Sequence, residues 1–284
     1  MDDLRTLGAA LAQDEPSQDV VDRSRHRLLN HMRGHHPIRR RSWLAITAAA
    51  AATAAAVAAA AIVALPADPP SGQDVLFAAA AAAERSSEST GIYWYYKVEA
   101  HSINYEYWIK PDGDYWRRYD DGKVEKMPER LRHPFKMLNV PMTLDQLRNL
   151  PTDPEALRAW VDEAVGDYDG GFKERNTLDS LVSLVSMLPA PPEVRAAAFR
   201  AIAAYPGVEY LGDVPGGQGV QLPTFGLDAY AVVDGQPAGE RLVVDPATGR
   251  ANGTTFFVSL SGERHILGNP GARITAEWTD SLPS

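Results

Sequence analysis

Between Leu44 and Leu65 the chain runs for 22 residues without a charge, fourteen of them alanine and the rest Leu, Ile, Val and two Thr. No other feature limits the architecture so strongly. A helix without a polar face must be buried or lie in lipid, and Thr47 and Thr53 are too few to make one. About 20 apolar residues at the helical rise cross a bilayer core, so the length fits. The flanks orient the run. Arg39, Arg40 and Arg41 precede it and Asp68 and Asp74 follow, which puts the N-terminus in the cytoplasm and the bulk of the chain outside. Trp43 stands where an interfacial aromatic anchor would. The rival is an export signal cut near "ALPAD", loosely introduced by "RRRSWLA". It would need an n-region of 42 residues, and the apolar run exceeds the usual h-region of about 7–15. A retained transmembrane helix over 43–65 is therefore expected, with the lipid bilayer as its first partner and the cell membrane as its location.

Charge divides the chain at the same place. Residues 1–42 hold eight Arg and six acids, every acid at or before Asp22, whereas residues 66–284 hold 20 basic and 31 acidic side chains. An acidic bulk does not suit a nucleic-acid binder, whose affinity comes from neutralising phosphates. The absence of cysteine excludes thiol catalysis, disulfides and Cys-ligated zinc. Residues 1–42 read as a cytoplasmic helical head with a basic juxtamembrane segment. Leu4, Leu7 and Leu11 mark one short apolar face, and Val20, Val21, Leu28 and Met32 another. Such a head serves a cytoplasmic protein partner or lies against anionic lipid; the pattern leaves both open. His26, His31, His35 and His36 cluster there, but with no Cys or carboxylate ligand nearby they read as a solvated tail.

Beyond the span, residues 66–89 read as a linker, "PADPP", and an external helix capped near Ser71. Residues 90–284 read as an extracytoplasmic antiparallel α+β domain. Alternation in "GIYWYYKVEA" and "INYEYWIK" puts Ile92, Trp94, Tyr96 and Val98 on one strand face and Ile103, Tyr105, Tyr107 and Ile109 on the next. Asp112-Gly113 and Asp121-Gly122 mark tight turns. A helical insertion follows. Asp153 caps a helix opening on Pro154, Leu178, Leu181, Val182, Val185 and Leu188 form one buried stripe, and a third helix runs from "PPEV" to Pro206-Gly207. Strands return in "GVEYLGDV", "LDAYAVVD", "ERLVVDPATGR", "TTFFVSL" and "ARITAEWT". The whole is α+β: a sheet packed on a helical insertion.

With these pieces in order, the Arg-rich head and Ala-rich span, "LPTDPEALRAWV", "LPAPPEVRAAAFRAIAAYPGVEYLG" and "LVVDPATGRANG", the chain resembles an actinobacterial family of single-pass membrane proteins of unassigned function. Members are often encoded beside extracytoplasmic-function sigma factors. The resemblance covers nearly the whole chain and carries no catalytic residues with it. The strand-rich outer part is also distantly similar to lipoprotein-carrier and RseB-type domains, where a curved sheet wraps helices around an apolar cavity. Together these imply an envelope sensor or regulator. Its head would meet a cytoplasmic partner and its outer domain a lipid or other envelope ligand.

Trp94, Tyr96, Tyr105 and Tyr107 are the candidate apolar ligand-binding residues. They either pack against the middle helices as a filled core or line a cavity, and the filled core is the stronger expectation. Other signals are weaker. "DYDGGF" offers Asp167 and Asp169 but lacks the third acid and distal Glu of a calcium loop, and "PGGQG" reads as a turn. His101 and Ser102 are strand neighbours pointing to opposite faces, a poor base–nucleophile pair, and His133 and His265 bring no companions. No catalytic site, cofactor or metal is expected, so the reading is non-enzymatic. A membrane-anchored envelope enzyme and a carrier released by signal cleavage are the alternatives.

Overall fold

The computed structural model describes residues 69–100, 103–166, 172–225, 239–267 and 271–282, and the backbone alone at 232–233 and 236–237. All of these belong to one compact unit, Ala64–Ser284. The expected head (1–42), the span (43–65), His101, Ser102, Asp167 and Asp169 lie outside the described residues. Among those described, no helix is long and apolar enough to cross a membrane.

The unit is α+β, built on a large antiparallel sheet. Helix α1 (Gly72–Arg85) opens on a capping box: the Ser71 hydroxyl accepts from the Asp74 amide, and the Asp74 carboxylate accepts from the Ser71 amide. Four strands follow, β1 (Tyr93–Ala100), β2 (Ile103–Ile109), β3 (Tyr115–Arg118) and β4 (Val124–Lys126). Gly113 and Gly122 take the left-handed conformation at the two expected turns, with φ of 96° and 85°. Ile92 falls just before β1 and is exposed, because the strand's buried alternation begins at Trp94. A small hairpin, β5 (Phe135–Met137) and β6 (Val140–Met142), leads to α2 (Leu144–Arg148), α3 (Pro154–Val165), α4 (Lys173–Ser186) and α5 (Pro192–Ala203). The Asp153 side chain accepts from the Ala156 amide, capping α3 as its sequence implies.

The second half supplies β7 (Glu209–Val214), β8 (Gly217–Gln221), the short β9 (Val232–Val233) and β10 (Gln236–Pro237), β11 (Arg241–Asp245), β12 (Arg250–Thr254), the hairpin β13 (Phe256–Val258) and β14 (Arg264–Ile266), and β15 (Ala272–Thr279). "PGGQG" is a turn only at Pro215-Gly216; from Gly217 it is strand. Its glycines have low strand preference, but β7 and β11 pair with it on both sides and tertiary pairing prevails. The nine-stranded sheet has the order β4-β3-β2-β1-β15-β12-β11-β8-β7. The last strand thus joins two meanders, one from each half of the domain.

Helix α4 is buried on every side. It touches α3 and α5, the strands β12 and β15, and β5. The apolar stripe is in the core as expected, but Asp179, Ser180, Ser183 and Ser186 are buried too. Ser183 and Ser186 donate to carbonyls four residues back, Asp179 and Val182, so these hydroxyls are satisfied within the helix. Helix α1 packs on α5 through alanines, Ala79, Ala80 and Ala83 on one side and Ala197, Ala198 and Ala201 among those buried on the other. The same small residues admit the β11–β12 turn. Gly249 there has φ +64°, and a Cβ on it would stand 2.4 Å from the Ala83 nitrogen and 2.7 Å from the Ala79 oxygen. Helix α5 and the β11–β12 turn therefore both pack on α1.

Gly249→Val should cost at least about 2 kcal/mol, combining left-handed strain with backbone overlap. Chemical unfolding of the protein checks this; a change within about 0.5 kcal/mol would contradict the packing described.

Candidate functional site

The expected aromatic face exists. In β1–β2 register, Tyr96 lies opposite Tyr107 and Val98 opposite Tyr105, so the four named rings share the sheet face turned to the helices. Trp94, Tyr96 and Tyr107 are buried and Tyr105 is half-buried. Trp94 donates its indole N–H to the Met187 carbonyl at 2.9 Å, fixing β1 to the end of α4. It meets Trp278 edge-on at 5.3 Å between ring centres. Tyr105 packs on Phe257 at 5.3 Å and on Tyr107 at 6.0 Å. Burial raises the Tyr96 phenol far above its ordinary range, with Tyr107 and Tyr105 adding to it, and burial raises Tyr107 as well. Between Trp94, Tyr96, Met187, Leu188 and Val258 the open space is about 20 Å³, room for a single water at most. Here the rings pack as a filled core.

A much larger opening lies on the other side of Trp94. Strand β12 pairs with β15 through two residues only, Gly253 with Arg273 and Thr254 with Ala272. The cause is local. Opposite Val243 and Val244 on β11, strand β12 places Gly253 and Ala251, so Asn252 is an extra residue in the ladder. A bulge of this kind bends its strand and ends pairing. The Asn252 amide donates to the Gly216 carbonyl at 2.9 Å, holding the bulged residue toward the β7–β8 turn. The two strands then part, and the Arg250 guanidinium bridges the gap by donating to the Ala276 carbonyl at 2.9 Å.

The gap belongs to a cleft of about 1160 Å³. Its inner end is formed by Trp94, Val185, Leu188 and Arg195, on the helix side of the sheet. Its outer part is a shallow trough on the opposite face. The cross-strand row Gly219, Val243, Gly253 and Arg273 crosses that face, and two of its four members have no side chain. Leu211, with 39% of its surface exposed, and Val214 flank it. Of the four aromatic candidates, Trp94 lines the cleft; Tyr96, Tyr105 and Tyr107 do not. Sequence reading passes over the trough because glycine carries no side chain to mark a site. "RANGT", with Asn-Gly inside a strand pattern, is the signal that points to it.

A second aromatic group stands on the outer face, where strand alternation puts it. Tyr93 meets Trp116 edge-on at 5.3 Å and Tyr95 packs on Trp108 at 5.1 Å. Lys110 lies over Tyr93 and Trp116, Lys126 over Trp116 and Arg118 over Trp108, a cation–aromatic ladder on this face. His265 stacks on Phe257 at 4.7 Å, with Glu263 at 3.9 Å. Among the described residues no group of three His, Asp or Glu side chains is placed to hold a metal. No family model, no curated protein and no solved structure matches this chain.

Trp94 is close-packed on one side and borders the cleft on the other. Trp94→Ala should lose about 3 kcal/mol, the low end for truncating a buried Trp, because part of its surface already faces open space. Urea unfolding reads this. A loss below about 1 kcal/mol would mean the filled side is not packed as described.

Proposed function

We propose that this is a non-enzymatic single-pass membrane protein, an envelope sensor or regulator, whose external domain takes an apolar or amphipathic ligand into the β12–β15 cleft. The observation that carries the reading is the cleft itself. At about 1160 Å³ it is somewhat larger than the clefts of about 300–1,000 Å³ that commonly hold small molecules, so it has room for one. Its walls combine the apolar Leu211, Val214, Val243, Trp94 and Leu188 and bare glycine backbone with polar and charged side chains, four arginines among them. Exposed apolar surface of this kind costs free energy in water and gains it when an alkyl or ring system covers it.

The rest of the reading comes from the sequence. A helix over 43–65, followed by the short Pro66–Pro70 linker, would hold the domain close to the outer leaflet, where amphipathic ligands are concentrated. The head over 1–42 is then the part available to a cytoplasmic partner. The resemblance to proteins encoded beside sigma factors makes a transcriptional regulator the partner class to look for. Inward signalling further requires that the ligand favour one state of the span or of its assembly over another.

Two measurements check this. A reporter active only outside the cytoplasm, fused after Ser284, should be active; a reporter active only in the cytoplasm should be silent there. Protein purified in an uncharged detergent should bind a fluorescent alkyl probe at one site. Val243→Trp, which fills the trough from a half-buried position, should reduce that binding at least about tenfold while leaving unfolding unchanged. Unaltered probe binding in this variant would refute the cleft as the site.

A further inference from the structure

Two arginines stand at the inner end of the cleft, Arg195 from the first turn of α5 and Arg250 from the start of β12. They also share the wall of a small adjoining recess with Trp94 and Trp278. Arg195 donates to the Ala190 carbonyl at 3.0 Å and the Ser86 hydroxyl at 3.1 Å. Arg250 donates only to the Ala276 carbonyl, at 2.9 Å. All of these acceptors are neutral, and neither arginine has a carboxylate within ion-pair distance among the described residues. The Arg195 Nε–H, shielded from solvent, has no acceptor at all among them. Of the carboxylates nearby, Glu99 and Glu277 line the cleft and Glu99 is paired with Lys97 at 2.7 Å, while Glu88 lines the small recess and is paired with Arg148 at 3.3 Å.

In a part of the chain with eleven more acids than bases, two neighbouring cations left to neutral acceptors are an unsolved electrostatic problem. Burial pushes the Arg195 guanidinium down to about 10, the nearby Arg250 charge adds to that, and Glu193 opposes it. Arg195 is still charged at neutral pH, so the repulsion persists. An anion between the two guanidinium groups would remove it, and a planar fork is the donor geometry that suits carboxylate or phosphate oxygens.

We propose that the ligand of this cleft is an anionic amphiphile, its carboxylate or phosphate head held by Arg195 and Arg250 and its apolar chain lying along the Gly219–Val243–Gly253 trough. The proposal rests on the cleft being the ligand site, and adds the head-group chemistry. It also fits the lining: Arg195 and Arg250 meet at the inner end, and the Gly219–Val243–Gly253 stretch of the trough between them and Arg273 is apolar or without side chains.

The test compares three probes on the full-length protein in an uncharged detergent: dodecanoate, dodecanol and inorganic phosphate. Dodecanoate should bind at least about tenfold more tightly than dodecanol. Arg250→Gln should remove that preference and leave dodecanol unchanged, and Arg250→Lys should restore part of it. Arg250 is the residue to change because it makes a single hydrogen bond. The acid–alcohol comparison on the unaltered protein tests the head group even if a variant fails to fold. Equal binding of acid and alcohol would overturn the head-group inference and leave the cleft reading intact. Failure of both alkyl probes would overturn the cleft reading itself. Phosphate alone binding as tightly as dodecanoate, with the same dependence on Arg250, would make the site one for a free anion and overturn the amphiphile.

Discussion

One guanidinium ties the halves of this domain together. Arg264, on β14, reaches Asp179 in the middle of α4 and Glu240 just before β11, each at 2.5 Å. Both carboxylates are buried, and the Arg264 group also lies over the Phe256 ring at 5.0 Å. A helix buried on every side has no solvent to satisfy its polar face, so that face must be satisfied inside. Ser183 and Ser186 do this within the helix, and Asp179 does it through Arg264. Removing one partner of such a buried set strands the others and costs about 3–5 kcal/mol, more than the pair gains over apolar side chains of the same volume. The arrangement therefore fixes which way α4 faces. With α4 fixed, its C-terminal end presents the Met187 carbonyl to Trp94 and places Val185 and Leu188 at the inner end of the cleft.

The sheet around α4 is held by its last strand. β15 pairs with β1 along seven registered positions, from Tyr93–Thr279 to Glu99–Arg273, and with β12 along two. This asymmetry is the origin of the opening. On the β1 side, Trp94, Tyr96 and Val98 stand beside Trp278, Ala276 and Ile274, and the face turned to the helices is close-packed. On the β12 side the bulge at Asn252 carries the strand away and the ladder ends. A site built this way lies between rigid elements, and its width is set by one loop-free distortion in a strand.

Much of the local structure was legible because it follows from short-range chemistry. Ser71 and Asp74 sit three apart and make a capping box, Asp153-Pro154 opens a helix, Asp-Gly pairs turn the strands, and "ARITAEWT" is a strand over the residues expected. The side-by-side aromatic face of Trp94, Tyr96, Tyr105 and Tyr107 was legible for the same reason, since period two places it. The rest depends on partners distant in sequence. Nothing near Ala272–Thr279 says that it inserts between β1 and β12. Asp179 and the serines of α4 look like a solvated face until Arg264, 85 residues on, is known to meet them. Gly217–Gln221 has the composition of a loop and is a strand because of its neighbours. The cleft was illegible for a simpler reason: it is made of missing side chains and missing pairing, and a sequence displays neither.

The central claim is that the unpaired stretch between β12 and β15 is where a ligand enters. Hydrogen exchange along the protein, with and without a bound alkyl acid, tests it directly. Without ligand, amides of Arg250–Asn252 and Ile274–Ala276 that face the gap should exchange faster than those of β1 and β2. On binding, exchange should slow there and at Val185–Leu188, and change little in β3 and β4. Binding accompanied by protection elsewhere, with the two parted strands unchanged, would contradict the account.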